Sequence, residues 1–186
     1  EIFKGKKVFI LATMVLFSGD GAGCSARLLK KCGANIIGGL HVRMPDNVCD
    51  VGALKKSKEE NMAIIKEADL KIEKAVNEYL KGNPTQEGLS VFYHIAGLFG
   101  QRLWFYSKTQ SYSNKLKINN DMCVRCGKCV SVCPTSNLEI DNNKVAVKDK
   151  CTMCYRCISQ CPQKAITLLG KKVVQQYNYN KIKACD

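Results

Sequence analysis

Eight of the twelve cysteines fall into two runs with the same spacing. Each run has three cysteines separated by two residues, a fourth after three more residues, and then a proline. Every cysteine of the first run recurs in the second at an offset of 28 residues, so the segment is a duplicated supersecondary unit. The first run is Cys123, Cys126, Cys129 and Cys133, followed by Pro134, and the second is Cys151, Cys154, Cys157 and Cys161, followed by Pro162.

The spacing of the thiols indicates which metal chemistry they could support. Three thiolates with two residues between neighbours can surround three corners of a small iron–sulfur cubane, which thiols on a regular helix or strand could not do. A zinc site is one alternative, but it is usually built from two Cys-x-x-Cys pairs and would leave the third cysteine and the proline unexplained. A disulfide framework is another alternative, and it needs an oxidising compartment. The pattern therefore favours two 4Fe-4S clusters.

About residues 115 to 170 resemble the two-cluster bacterial ferredoxins. In that family the fourth cysteine of each run ligates the cluster held by the other run. The resemblance therefore implies crossed metal ligands. One cluster would be held by Cys123, Cys126, Cys129 and Cys161, and the other by Cys151, Cys154, Cys157 and Cys133.

The segment between the two runs has the pattern of a β-hairpin. Apolar residues alternate in Leu138–Ile140 and again in Val145–Val147. Asp141, Asn142 and Asn143 lie between them and favour a turn.

Composition limits the classes of partner. The formal net charge is +13, but the lysines are dispersed and no aromatic RNA-binding signature is present, so nucleic acid is not the expected partner. A redox partner protein with an acidic surface fits the charge, and so does a simply solvated surface; the charge alone does not decide between them. No apolar run is long enough to span a membrane, and no secretory signal is visible, so we expect a cytoplasmic protein.

Of the four remaining cysteines, Cys24, Cys32 and Cys49 are expected to be small buried residues, and Cys185 an exposed thiol in the tail.

The N-terminal part reads as a β-α-β-α unit. A continuous apolar run predicts a strand buried in a parallel sheet, and a second strand is predicted after a glycine-containing loop and a helix. A capping box then opens a long helix. The predicted elements are a strand at 8–17, the loop at 18–23, a helix at 24–32, a strand at 36–42, a helix from 57 to about 81, and an apolar helix at about 87–106.

The order of these elements resembles proteins that join a flavodoxin-like domain to a two-cluster ferredoxin. The likeness rests on Ala12-Thr13-Met14, on Met44-Pro45-Asp46-Asn47, on the long helix and on the cysteine runs. It implies an α+β protein: a partial α/β flavodoxin-like region at 1–82, a connecting apolar helix and linker at 83–114, and a two-cluster ferredoxin domain with a tail at 115–186. Only the last two strands of a flavodoxin-like sheet would be present, as in an N-terminally truncated chain. FMN is then expected only in a complete domain.

These features predict an electron carrier that makes and breaks no substrate bond. The two histidines, His41 and His94, lie near no nucleophile pattern, so no catalytic residue is predicted. One alternative is a flavin-dependent oxidoreductase in which FMN feeds the clusters. Another is an iron–sulfur subunit of a larger redox enzyme.

Overall fold

The computed structural model describes residues 2–103 and 114–176, which form two compact units. One unit contains the chain up to Pro45 and from Glu59 to residue 103. The other contains Asp46–Lys58 and the described residues from 114 onward. The mixture of helices and strands confirms the α+β class. The predicted domain boundaries stay a prediction, although the second unit includes residues that the sequence analysis grouped with 1–82.

The first unit is built on two parallel strands, β1 (Lys7–Met14) and β2 (Asn35–Arg43), joined by helix α1 (Gly21–Lys31). This is the predicted β-α-β arrangement. Strand β1 ends at Met14 and not at Phe17 as predicted. Residues 15–17 have no partner in the sheet register and are exposed, with Leu16 77% accessible, so burial does not hold them in the sheet.

The outer edge of β2 is occupied by the chain that follows the long helix α2 (Lys58–Leu80). The Gly39 N–H donates to the Thr85 carbonyl at 2.9 Å, and the Glu87 N–H donates to the Gly39 carbonyl at 2.9 Å. A Cβ on Gly39 would lie 2.5 Å from the Glu87 carbonyl oxygen, so only glycine permits this approach. Because this stretch pairs with β2, the next helix, α3 (Val91–Gly97), begins later than the predicted residue 87 and runs into a π-helical turn (Leu98–Arg102). The end of the predicted helix and most of the linker lie outside the described residues.

The second unit contains two short antiparallel sheets and two short helices. Strands β3 (Lys117–Ile118) and β6 (Ile166–Thr167) form one sheet, and β4 (Leu138–Asp141) and β5 (Lys144–Val147) form the other. The predicted hairpin is confirmed. Its turn residues, Asn142 and Asn143, both have left-handed φ angles, as a two-residue type I′ turn requires. The short helices are α4 (Lys128–Ser131) and α5 (Arg156–Gln160).

The core of the second unit combines both repeats with one residue from far earlier in the chain. Its buried members are Cys49, Leu116, Cys129, Leu138, Val145, Tyr155, Ile158, Ile166 and Leu168. Among residues 2–103 and 114–176, no helix combines the length and the apolarity needed to cross a membrane.

Candidate metal centres

Four cysteines line a small pocket at the first run. Three come from the loop before and into helix α4, and the fourth comes from the end of helix α5. Apolar side chains, among them Val145 and Ile166, complete the wall. The four cysteines are Cys123, Cys126, Cys129 and Cys161.

A second small pocket repeats this arrangement at the second run. Leu138 and Ile158 are among its apolar lining residues. Its cysteines are Cys133, Cys151, Cys154 and Cys157. All eight predicted site residues are therefore brought together, in the two groups that crossed ligation would require; their role as ligands stays a prediction.

The two loops reach this shape through matching left-handed backbone positions. Each loop has a residue with positive φ before its second cysteine and another after it. In the first loop these are Arg125 at 57° and Gly127 at 72°, and in the second they are Met153 at 54° and Tyr155 at 58°. Left-handed residues reverse the path of the chain within a few residues, so the thiols of one loop can converge.

The fourth cysteine of each run also has the same backbone partner in both repeats. The Asn137 N–H donates to the Cys133 sulfur at 3.2 Å, and the Ala165 N–H donates to the Cys161 sulfur at 3.3 Å. Each donor lies four residues beyond its cysteine, after a residue with positive φ. Such N–H donors stabilise a thiolate, and hydrogen bonds to sulfur are one means by which a protein tunes an iron–sulfur site.

The crowding of the thiols shifts their pKa values. Burial, with the neighbouring Cys154 and Cys151, raises the pKa of Cys157 to about 12. Burial likewise raises the pKa of Cys129 and of Cys151. For Cys133 burial also acts upward, but the Asn137 N–H and the Thr135 hydroxyl outweigh it and lower the pKa. Thiolates gathered in this way repel one another unless positive metal charge lies between them.

The residues fit an iron–sulfur cubane. Each cavity offers four thiols, the donor set that 4Fe-4S clusters use. Within the described parts of the chain, no three or more Cys, His, Asp or Glu side chains converge closely enough to hold one ion.

Residues 46–58 contact the second loop and the helix after it, a contact that was not predicted from the sequence. The Asn47 side-chain amide donates to the Cys154 carbonyl at 3.2 Å, and the buried Cys49 thiol lies 3.0 Å from the Ser159 hydroxyl. The Cys49 carbonyl accepts a hydrogen bond from the Val174 N–H at 2.8 Å. No local motif marks this segment. The one signal available was that the second repeat has a tyrosine where the first has Gly127.

The other cysteines differ in their surroundings. Cys49 is buried as predicted, whereas the prediction of burial is wrong for Cys24 and Cys32, which are exposed. Cys185 lies outside the described residues.

A family model described as a 4Fe-4S dicluster domain matches residues 115–162. The C-terminal part of the chain is therefore bacterial ferredoxin-like, which supports iron–sulfur cluster binding and electron transfer. The match does not extend to residues 1–114, so the flavodoxin resemblance stays a prediction. No curated protein matches the chain.

Proposed function

We propose that this protein is a low-potential electron-transfer protein that carries single electrons on two 4Fe-4S clusters. The observation that carries the proposal is the pair of cavities, each lined by three cysteines of one run and the fourth cysteine of the other. When bound, such a cluster supplies reversible one-electron redox chemistry. The chain's own residues would provide four thiolates per site and the loop geometry that holds them.

The ligands would be assigned as the cavities group them. The first site takes its fourth thiolate from Cys161, and the second takes its fourth from Cys133. Each fourth thiolate is positioned by its backbone N–H donor and by the proline that follows it, which fixes φ and prevents the helix before it from continuing. A cytoplasmic location would keep these thiols reduced.

The first loop offers the more accessible surface for a redox partner. Val124 is 60% exposed, and Arg125 and Cys126 beside it are also exposed, as is Lys128. A short apolar patch next to positive charge matches a partner protein whose docking surface is acidic. We propose electron exchange with such a partner at this loop.

Anaerobic purification or reconstitution of the full chain tests the central proposal. We expect about eight iron and eight sulfide per chain, an absorption band near 400 nm that bleaches on reduction, and an EPR signal in the reduced state. A protein that holds zinc and no sulfide would contradict the proposal. Stoichiometric co-purification with a catalytic subunit would instead favour the iron–sulfur subunit of a larger enzyme.

A flavin-dependent activity would require residues 1–82 to be a partial flavodoxin-like region that can hold FMN. The glycine-containing loop after β1 carries Asp20, whose side chain is only 4% exposed. This carboxylate lies 2.5 Å from Arg27 and 3.0 Å from His94. The basic groups nearest the loop therefore already face a carboxylate, which would also repel a phosphate.

We therefore expect the chain as given not to hold FMN tightly. Fluorescence titration of FMN into the cluster-loaded protein should show no stoichiometric binding in the sub-micromolar range. Asp20→Asn serves as the companion variant because it removes the repelling charge and frees the arginine. Tight binding by the unmodified chain, strengthened further in Asp20→Asn, would overturn this expectation and restore the loop as a phosphate site.

A further inference from the structure

The second cysteine loop has an unusual residue at its left-handed position. Tyr155 has a φ of 58° and is 3% exposed, whereas its counterpart in the first loop is Gly127. A bulky residue rarely adopts this conformation, which is strained and persists only where the surroundings hold it in place. We therefore expect that a specific partner holds Tyr155 in this conformation.

That partner is Asp50, in the segment that the second unit takes from the earlier part of the chain. The Tyr155 hydroxyl donates to one Asp50 carboxylate oxygen at 2.9 Å. The backbone N–H groups of Leu168 and Leu169 donate to the other oxygen at 2.6 and 3.0 Å. Both Asp50 oxygens therefore accept hydrogen bonds, three in all, and neither donates one. This is the pattern expected of an ionised carboxylate.

The Asp50 charge is buried, since the residue is only 4% exposed. Burial acts to raise the pKa of this carboxyl, but its hydrogen bonds outweigh burial and hold the pKa below its usual value. Lys55 is a positive group of the same segment, and its ammonium donates to the Val48 carbonyl. Lys55 offsets part of the Asp50 charge. Removing Asp50 would therefore both delete a negative charge and leave this positive charge less balanced.

A buried charge affects a neighbouring redox site more than an exposed charge does, because solvent and salt screen it less. Two of the donors to Asp50 belong to the second pocket: Tyr155 lies between two of its cysteines, and Leu168 lines it. At the matching position of the first loop, Gly127 has no side chain that could hold a carboxylate. The negative charge therefore acts mainly on the second site.

We propose that Asp50 makes the two cluster sites unequal by lowering the reduction potential of the site formed by Cys133, Cys151, Cys154 and Cys157. Negative charge disfavours the reduced state of a site, which is itself the more negative state. The first site then holds the electron when the protein carries one. It is also the site beneath the more exposed loop. This inference rests on the proposed function.

The experiment measures the potential of each site separately in the full, cluster-loaded chain. A redox titration can be followed by the paramagnetically shifted NMR signals of the cysteine β-protons, assigned through Val124 in the first loop and its counterpart Thr152 in the second. In the unmodified protein the second site should have the lower potential. The opposite order would overturn the proposal without any variant. Failure to find two clusters would instead contradict the proposed function.

Three substitutions separate the charge from the hydrogen bond. Asp50→Asn should raise the potential of the second site and leave the first unchanged. Tyr155→Phe removes the hydrogen bond between the Tyr155 hydroxyl and the Asp50 carboxylate but keeps the Asp50 charge. The potential of the second site should therefore not rise in this variant. Asp149→Asn makes the same chemical change at an exposed position two residues before Cys151, and its shift should be smaller because solvent screens it.

The results that would contradict the proposal are equally specific. A rise in Tyr155→Phe equal to that in Asp50→Asn would show that the loop geometry, and not the charge, sets the potential. The proposal would also be wrong if Asp50→Asn left the potential of the second site unchanged, or if it shifted the potentials of both sites equally. If Asp50→Asn does not load with clusters, Asp50→Glu retains the charge and should preserve the order of the two potentials; a reversed order in that variant would count against the proposal.

Discussion

The first cysteine loop, residues 123–129, and the second, residues 151–157, share a backbone but not their surroundings. Their left-handed positions match at an offset of 28 residues, and so do the N–H donors to Cys133 and Cys161. The surroundings differ because residues 46–58 supply hydrogen-bond partners to the second loop. The Asn47 amide donates to the Cys154 carbonyl, and the Asp50 carboxylate accepts from the Tyr155 hydroxyl. A duplication fixes equal local geometry, whereas the rest of the chain decides whether the two copies remain equivalent.

The largest expected effect tests whether each cluster takes its fourth thiolate from the other cysteine run. Cys161→Ser should abolish or strongly alter the cluster at Cys123, Cys126 and Cys129, because it removes that site's fourth thiolate. The iron content should fall by about half. EPR of the reduced variant shows which signal is lost.

Cys133→Ser is the matched control for this test, because the duplication places it at the equivalent position. It should damage the other cluster, the one at Cys151, Cys154 and Cys157. If each serine variant instead lost the cluster of its own run, the crossed assignment would be wrong.

The contact of residues 46–58 with the second repeat can be broken at Gly170. A Cβ at this position would lie 1.7 Å from the Asp50 carbonyl oxygen, so Gly170→Ala must displace the backbone of one segment or the other. We expect a loss of roughly 1–3 kcal/mol in stability, as for other overpacked sites. The temperature at which the cluster absorbance disappears should fall by several degrees.

Gly52→Ala is the companion change within residues 46–58, because a Cβ there would meet nothing within 4 Å. Its effect on the same transition should be small. Equal effects of the two alanines would mean that the close approach at Gly170 does not support the second repeat.

The smallest expected difference concerns the arginines that precede the proposed ligand cysteines in both loops. Arg125 and Arg156 are both exposed, so their charges act through solvent. Arg156→Gln should lower the potential of the nearby site slightly at low ionic strength, and the shift should shrink as salt is added. Protein-film voltammetry measures this shift, with Arg125→Gln as the equivalent change in the first loop. No shift in either variant at low salt would mean that both side chains are simply solvated.

Much of the local structure could be predicted from the sequence. The hairpin at 138–147 follows from alternating apolar residues around two asparagines, which adopt left-handed angles more readily than most residues. The parallel strands of the first unit follow from continuous apolar runs. The start of helix α3 could not be predicted, because residues 85–87 satisfy their backbone groups along β2, and that pairing depends on the absence of a side chain at Gly39.

By itself the sequence predicted iron–sulfur chemistry at the cysteines, which the dicluster-domain match supports. Thiol number, spacing and duplication are properties of the chain, and the geometry that a cluster requires is short-range. Only the tertiary structure decided which neighbours each loop has. Asp50 reaches Tyr155 across 105 residues of sequence, and no periodicity or motif encodes a contact at that separation. Such a contact forms because the carboxylate, once buried, must find donors, and because the second repeat presents a tyrosine hydroxyl and two free N–H groups where it packs.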